Sequence, residues 1–317
     1  MSDYADVAVL VPCYNEEAAI GTVVRDFAAH LPGAAIYVYD NNSSDGTAEV
    51  ARAAGAIVRR EPLQGKGHVL RRMFSDIEAH IYVLVDGDST YDAASAPAMV
   101  ARLRDERLDM VNGARVTEIE AAYRRGHVLG NRVLSGLVAG IFGDRLRDLL
   151  SGYRVFSRRF VKSFPALAAG FETETELTVH ALELSMPIAE IDTPYRERPP
   201  GSASKLSTYR DGFRILRTIV VLAKQERPFA FFGLIAAVLA VIGLGLAAPV
   251  VLTYLHTGLV PRLPTALLST GLEVIACLSF FCGLVLDTVS RARLETKRLF
   301  YLQHSIESGR NAPGTAI

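Results

Sequence analysis

The apolar run IYVLVD (81–86) ends in two acids one residue apart, Asp86 and Asp88, with Gly87 between them. Two carboxylates so placed at a strand end can hold a hard divalent cation, Mg2+ or Mn2+, through oxygen ligands. A metal held there would carry a diphosphate and neutralise a nucleotide leaving group. Two further acid-bearing segments follow apolar runs. Pro12-Cys13-Tyr14-Asn15-Glu16-Glu17 closes VAVLVP (7–12), and Asp40-Asn41-Asn42-Ser43-Ser44-Asp45-Gly46 closes IYVYD (36–40). Each alone suits an ordinary turn, because Asn, Asp, Gly and Ser favour turns. Three such loops at one sheet edge describe a ligand site. No Gly-x-Gly-x-x-Gly follows the first run, which disfavours a nicotinamide site. Gly65-Lys66-Gly67 lacks the loop length and the following Ser or Thr of a Walker A nucleotide triphosphatase.

These loops need elements to hold them. Strands are expected at 7–12, 36–40, 56–60, 81–86 and 109–115. Helices are expected at 16–31 with Asn15 as N-cap, 47–54 closed by Gly55, 67–78, and 97–106. Repeated strand–helix units with β-branched and aromatic strands predict a parallel sheet covered on both faces. In such sheets ligands bind beyond the carboxyl ends of the strands, where the three acidic loops fall.

The chain has 317 residues, about two domains' worth, and 34 basic against 34 acidic side chains. Zero formal charge argues against a basic nucleic-acid binder and an acidic disordered tail. Three cysteines, Cys13, Cys277 and Cys282, without a Cys-x-x-Cys, give neither a disulfide framework nor a structural zinc site. Phe229–Leu255 carries no charge over 27 residues, and Thr265–Leu286 only Glu273 over 22. About 20 apolar residues cross a bilayer, so a two-span hairpin joined by His256–Pro264 is expected. Glu273 is costly in lipid and is expected to face a functional partner or a helix–helix contact. Arg210, Arg214, Arg217, Lys224 and Arg227 precede the first span, and Arg291, Arg293, Lys297 and Arg298 follow the second. The positive-inside rule puts the N-terminal region and both termini in the cytoplasm, and no signal peptide is visible. If Lys205–Lys224 is helical, its arginines form one sector beside Leu206, Tyr209, Phe213, Leu216 and Val220, as in a helix lying among lipid headgroups.

VPCYNEE (11–17), YDNNSSDGT (39–47), GKG (65–67) and VDGDST (85–90) resemble the family 2 glycosyltransferases with a GT-A nucleotide-sugar fold. DLLSGYRVFSRRF (148–160), GFETETEL (170–177) and RERPPGSASKL (196–206) resemble the polyprenyl-phosphate branch of that family, which includes dolichol-phosphate mannose synthase. The resemblance runs from about Val7 to the end of the second span. It implies a Rossmann-like, mainly parallel α/β sheet with helices on both faces. It also implies roles. Pro12, Tyr14 and Glu16 would line the nucleoside pocket, with Asp40 on the base or ribose and Lys66 near the donor. Asp86, Gly87 and Asp88 would hold metal and donor phosphates. Arg115, Arg132 and Ser135 would face the acceptor phosphate, and Asp148 would stand near the reaction centre. Arg198 and Lys205 would lie on a loop closing over the diphosphate. The chain departs from relatives at Asn41, where many have a second Asp, and at Thr90, where some mannose synthases place Gln on the metal.

The expected organisation is a cytoplasmic catalytic domain at 1–204, an amphipathic juxtamembrane region at 205–228, a transmembrane hairpin at 229–288 and a cytoplasmic tail at 289–317. Within the tail, 291–304 is expected to be helical and 307–317 disordered. The expected reaction is metal-dependent, inverting transfer of a hexose from a UDP- or GDP-sugar to a membrane polyprenyl phosphate. A phosphate monoester is largely ionised at pH 7, so it needs cations more than a general base. Arg115, Arg124, Arg125, Arg132, Arg198 and Lys205 are the available cations; Asp148 is either base, positioner or structural. Glu172, Glu174 and Glu176 would share one face on a strand but not on a helix, and are candidates to close the acceptor side. The expected partners are the nucleotide sugar, the lipid acceptor and the bilayer, with homo-oligomers allowed. The alternatives are a glycolipid or protein acceptor, or a catalytically silent nucleotide-sugar-binding scaffold. A processive polysaccharide synthase is excluded, since its Gln-x-x-Arg-Trp needs a Trp and the chain has none.

Overall fold

The computed structural model describes residues 3–116, 146–168, 170, 172–198, 216–217, 220–221 and 224–304. Arg124, Arg125, Arg132, Ser135, Lys205, most of the 205–224 segment and the 307–317 tail lie outside them. The described residues fall into two compact units, 1–217 with 297–317, and 218–296.

The first unit is built on a seven-stranded sheet. Its strands are β1 (Val7–Cys13), β2 (Ala35–Asp40), β3 (Ile57–Arg60), β4 (Ile81–Leu84), β5 (Met110–Val116), β6 (Arg154–Ser157) and β7 (Ile188–Pro194), in the order β3-β2-β1-β4-β6-β5-β7. Strands β1 to β4 are parallel neighbours, which follows from right-handed strand–helix–strand units. Strand β6 slots between β4 and β5 and runs antiparallel to both, so the sheet is mixed rather than purely parallel. The sequence pattern misses β6 and β7. Apolar periodicity specifies which faces are buried, not strand direction, and β6 is only four residues long.

Valines at alternate positions of β1 (Val7, Val9, Val11) pack under helices α1 (Glu17–His30) and α4 (Ala96–Asp105), with Phe27, Met99 and Tyr153 filling the layer. The other face is aromatic. Phe74 from α3 (Lys66–Asp76) meets Tyr82 and Phe156 edge-on, and Phe160 from α5 (Arg158–Ser163) stacks on Phe156. The two residue sets come from the period-2 alternation of central strands buried on both sides. Helix α2 (Thr47–Ala53) follows the second acidic loop, and α6 (Thr173–Glu183) lies among the buried polar residues described below.

Asn15 does not cap α1. It adopts a left-handed φ of 52° and its side-chain oxygen accepts from Ser44 N–H at 2.8 Å, which ties the first acidic loop to the second. The cap position is Glu16, without a side-chain capping bond.

The second unit contains α7 (Pro228–Thr257) and most of α8 (Leu263–Gln303), both long and apolar enough to cross a membrane. Only 17% and 11% of their most apolar windows are buried, so they are not the core of a soluble domain. Beyond Pro228 at the start of α7, the buried positions are Ala236, Gly243 and Val250 on α7, and Ser269, Ala276, Gly283 and Ser290 on α8. Each series advances by seven residues, and small side chains let the two backbones approach closely. Glu273 faces Gly243: a β-carbon there would lie 2.5 Å from the Glu273 carboxylate. Helix α8 continues past the apolar stretch, so its last residues belong to the first unit. There Lys297 pairs with Glu183 at 2.7 Å, and Tyr301 donates to Asp109 at 2.7 Å beneath the Arg159 guanidinium.

Candidate active site

The three acidic loops gather at the carboxyl ends of β1, β2 and β4. Glu16 N–H donates to Thr47 Oγ1 at 2.8 Å, Asp40 accepts from Ser43 N–H at 3.2 Å, and Tyr14 stands exposed just after Cys13, which ends the parallel register with β2 opposite Asp40. A cleft lined by Asp40, Ser43, Asp45, Arg59 and Arg60 opens next to this edge.

Asn41 explains its own departure from the pattern of relatives. Its amide donates to the carbonyls of Glu61 (2.9 Å) and Leu63 (2.7 Å), while its oxygen accepts from Gly65 N–H at 2.7 Å. A carboxylate there would face two buried carbonyls with nothing to donate. The bonds fix the turn at Gly65, whose φ of 133° only glycine adopts without strain, and so place Lys66 at the start of α3.

Lys66 lies buried between two carboxylates, 2.6 Å from Asp86 and 2.5 Å from Glu174. Burial alone would lower its pKa; Asp86 and Glu174 outweigh that and raise it, so it is an ammonium at every physiological pH. Asp88 is also buried. Its Oδ1 accepts from the Thr90 hydroxyl at 2.6 Å, and its Oδ2 meets Arg198 at 2.6 Å. Desolvation, then the neighbouring Asp86 charge, raise the Asp88 pKa, with Arg198 opposing them. Gly152 leaves room for this arrangement, since a β-carbon there would lie 2.4 Å from Asp86 Oδ2.

Arg198 reaches Asp88 because the segment after β7 is pinned. Tyr195 bridges to Tyr91, Arg196 N–H donates to Thr90 O at 2.9 Å, and the Arg196 guanidinium pairs with Asp92 at 2.8 Å.

Asp148 is held by Arg115. The guanidinium makes two parallel bonds to it, 2.7 and 2.8 Å, and Arg115 N–H adds a third at 3.1 Å. The loop carrying Asp148 is fixed from below by Arg154, which is wholly buried and donates to Ser151 O, Leu149 O and Thr178 Oγ1. Burial pushes the Arg154 pKa down. Asn112 adds a bond to Asp148 O at 2.9 Å. The carboxylate is therefore committed to positioning Arg115 in this state.

The alternating glutamates of GFETETEL lie at the start of α6, so they do not share a face. Glu174 turns to Lys66; Glu176 accepts from Leu167 N–H and Ala168 N–H, both at 2.9 Å, and closes that loop. Sequence reading missed Tyr91, Tyr195, Arg154, Asn112 and the Lys66–Glu174 contact. A lysine and a glutamate more than a hundred residues apart leave no local signal. The positions of Arg132, Ser135 and Lys205 lie outside the described residues.

Among the described residues no cluster of three metal-ligating side chains forms. Asp86 and Asp88 supply hard oxygen donors, which fit a Mg2+ or Mn2+ ion; two carboxylates alone would leave the rest of its ligands to come from outside the protein.

The chain is similar to known proteins in sequence and in fold. The family model for glycosyl transferase family 2 matches residues 8–164. Glycosyltransferase AglJ of Haloferax volcanii is 36% identical over 76% of this chain and 80% of its own length. The dolichyl-phosphate hexose transferase of the same organism is 30% identical over 72% of this chain and 99% of its own. Among solved structures, Mycobacterium tuberculosis glucosyl-3-phosphoglycerate synthase, crystallised with Mn2+, UDP and glucosyl-3-phosphoglycerate, superposes with a TM-score of 0.54 and 25% identity, covering 67% of this chain and 79% of that one. The chain is a glycosyltransferase and belongs to family 2, in its polyprenyl-phosphate-sugar branch.

Proposed function

We propose that the protein transfers a hexose from a UDP- or GDP-sugar to a membrane polyprenyl phosphate, with inversion at C1. The observation that carries this reading is the carboxylate pair just beyond the central strand β4, each carboxylate met by a basic side chain from a different segment. Such a site suits a metal-bound diphosphate, and the dolichyl-phosphate hexose transferase similarity supports a lipid phosphate acceptor. Asp86 and Asp88 would hold the Mg2+ or Mn2+ ion, which supplies charge neutralisation for the departing nucleoside diphosphate. A phosphate oxygen of the acceptor forms the new bond to C1, and the electron pair of the old C1–O bond leaves with the nucleoside diphosphate. The acceptor oxygen is already ionised at pH 7, so the protein's task is to bring two anions together. Arg115, oriented by Asp148, is the cation for the acceptor phosphate, a role that the family resemblance also gives to Arg132 and Ser135. Lys66 and Arg198 serve the donor side, and the family resemblance adds Lys205 to them. Pro12, Tyr14, Glu16 and Asp40 form the nucleoside end. The two apolar helices α7 and α8 would cross the bilayer and anchor the chain to the membrane that carries the lipid acceptor, with the catalytic residues in the cytoplasm.

The test is direct. The full chain in lipid nanodiscs with undecaprenyl phosphate and Mn2+ or Mg2+ is offered labelled UDP- and GDP-sugars. Label in the organic phase that disappears with EDTA and with Asp88→Ala is the expected result. Tight donor binding without a lipid product from any donor would sink the lipid acceptor.

A further inference from the structure

Both acids of the Asp86/Asp88 pair already hold a cation belonging to the protein. Asp86 has Lys66 and Asp88 has Arg198, each at 2.6 Å. The two cations differ in how they are anchored. The Lys66 side chain is 8% exposed, at a helix start, and gripped a second time by Glu174. The Arg198 side chain is 26% exposed and lies outside any helix or strand, four residues beyond β7. Asp88 Oδ1 is taken by the hydroxyl and N–H of Thr90, at 2.6 and 3.2 Å, so a metal must approach through the oxygen that Arg198 occupies.

We propose that Lys66 is a fixed and Arg198 an exchangeable counter-ion of this pair, and that the metal gains a tight seat only when a nucleoside diphosphate arrives and takes Arg198 from Asp88. This rests on the reading of Asp86 and Asp88 as metal-holding residues. A bare divalent cation meets an ammonium and a guanidinium in a site partly shielded from water, where repulsion between like charges is strong. A diphosphate removes the obstacle. It offers the guanidinium a planar, bidentate acceptor of higher charge than a carboxylate, and adds oxygens for the metal. Glu174 is the positioning residue that keeps Lys66 from leaving with Arg198. By linkage, metal and nucleotide then raise each other's affinity by one common factor.

The full chain in nanodiscs is titrated with Mn2+ and followed by the electron paramagnetic resonance of free Mn2+, without nucleotide, with UDP and with GDP. Wild type is expected to bind Mn2+ weakly alone and much more tightly with one of the nucleotides. Arg198→Gln is expected to bind Mn2+ alone about tenfold more tightly, within the usual span of coupling between sites, and to lose most of the nucleotide-induced gain. Arg198→Lys, which keeps the charge, stays near wild type without nucleotide. Arg104→Gln removes an equal charge from the opposite end of the sheet, where it pairs with Asp6 just before β1, and leaves the Mn2+ titration unchanged. Nucleotide-dependent Mn2+ binding by wild type, with Arg198→Gln unchanged or weaker in the absence of nucleotide, overturns the exchange alone. No Mn2+ binding by wild type with either nucleotide overturns both the exchange and the metal assignment.

Discussion

Asp148 illustrates how a single carboxylate changes meaning once its neighbours are known. By type and position it suits a general base, a positioner or a structural acid. Its three bonds to Arg115 support the positioning role, which we propose for it. Residues that act as one unit show non-additive losses. Arg115→Gln and Asp148→Asn are therefore each expected to lower kcat/KM for the lipid acceptor at least tenfold, and the double variant to fall only about threefold below the worse single, a gap of roughly 0.7 kcal/mol. Steady-state kinetics on the four proteins checks this; fully multiplicative losses would separate the two residues' roles. Asn41 is the reverse case. In the sequence it reads as a deviation from an acidic position, and in the fold its two donated bonds are what that position requires here.

At the scale of elements, α6 carries a buried histidine as well as Glu174. His180 packs edge-on against Phe160 and Phe164, with Ser163 Oγ 3.2 Å from Nε2, and no partner for Nδ1 among the described residues. Desolvation, then the Lys297 charge, push its pKa down to about 3. The folded state thus resists protonation that the unfolded chain accepts from about pH 6.5 downward. The native advantage is complete above pH 6.5 and is lost as pH falls toward 3. The slope approaches 1.4 kcal/mol per pH unit, about the value of one proton. His180→Gln is expected to be less stable at pH 7.5 and to lose less stability than wild type between pH 7 and 5. Thermal melts across that range decide it; parallel curves for the two proteins would place the acid sensitivity elsewhere. The same pattern of buried polar groups answering one another explains β6. Arg154 opens that strand and holds the Asp148 loop, a role that no periodicity encodes.

At the scale of the whole molecule, the sheet-bearing unit includes the end of α8. Lys297, Tyr301 and His304 contact Glu183, Asp109 and Arg158, so the last described turns of that helix pack within this unit. Asp109 is fully buried and is shared by Ser157, Arg159 and Tyr301. Tyr301→Ala removes one bond to that carboxylate and the ring under Arg159, about 1–2 kcal/mol of local anchoring. Faster tryptic cleavage among Arg293, Lys297 and Arg298 in nanodiscs, without loss of the remaining domain, is the expected result. A cleavage rate equal to wild type would show that the turns are held by other means.

The sequence determined the local and periodic features of this protein. Strands β1 to β4, helices α1 to α4 and the two apolar helices were legible because side-chain period and continuous apolar length are properties of short segments. The acidic loops were legible because strand ends in an α/β sheet are where polar clusters have few structural duties. Tertiary structure decided the rest. It set the antiparallel entry of β6, the commitment of Asp148 to Arg115, the burial of Lys66 against Glu174 and the pairing of Arg198 with Asp88. Each of these joins residues far apart in the chain, and a charge's partner is fixed by where the backbone brings it, not by the residues on either side.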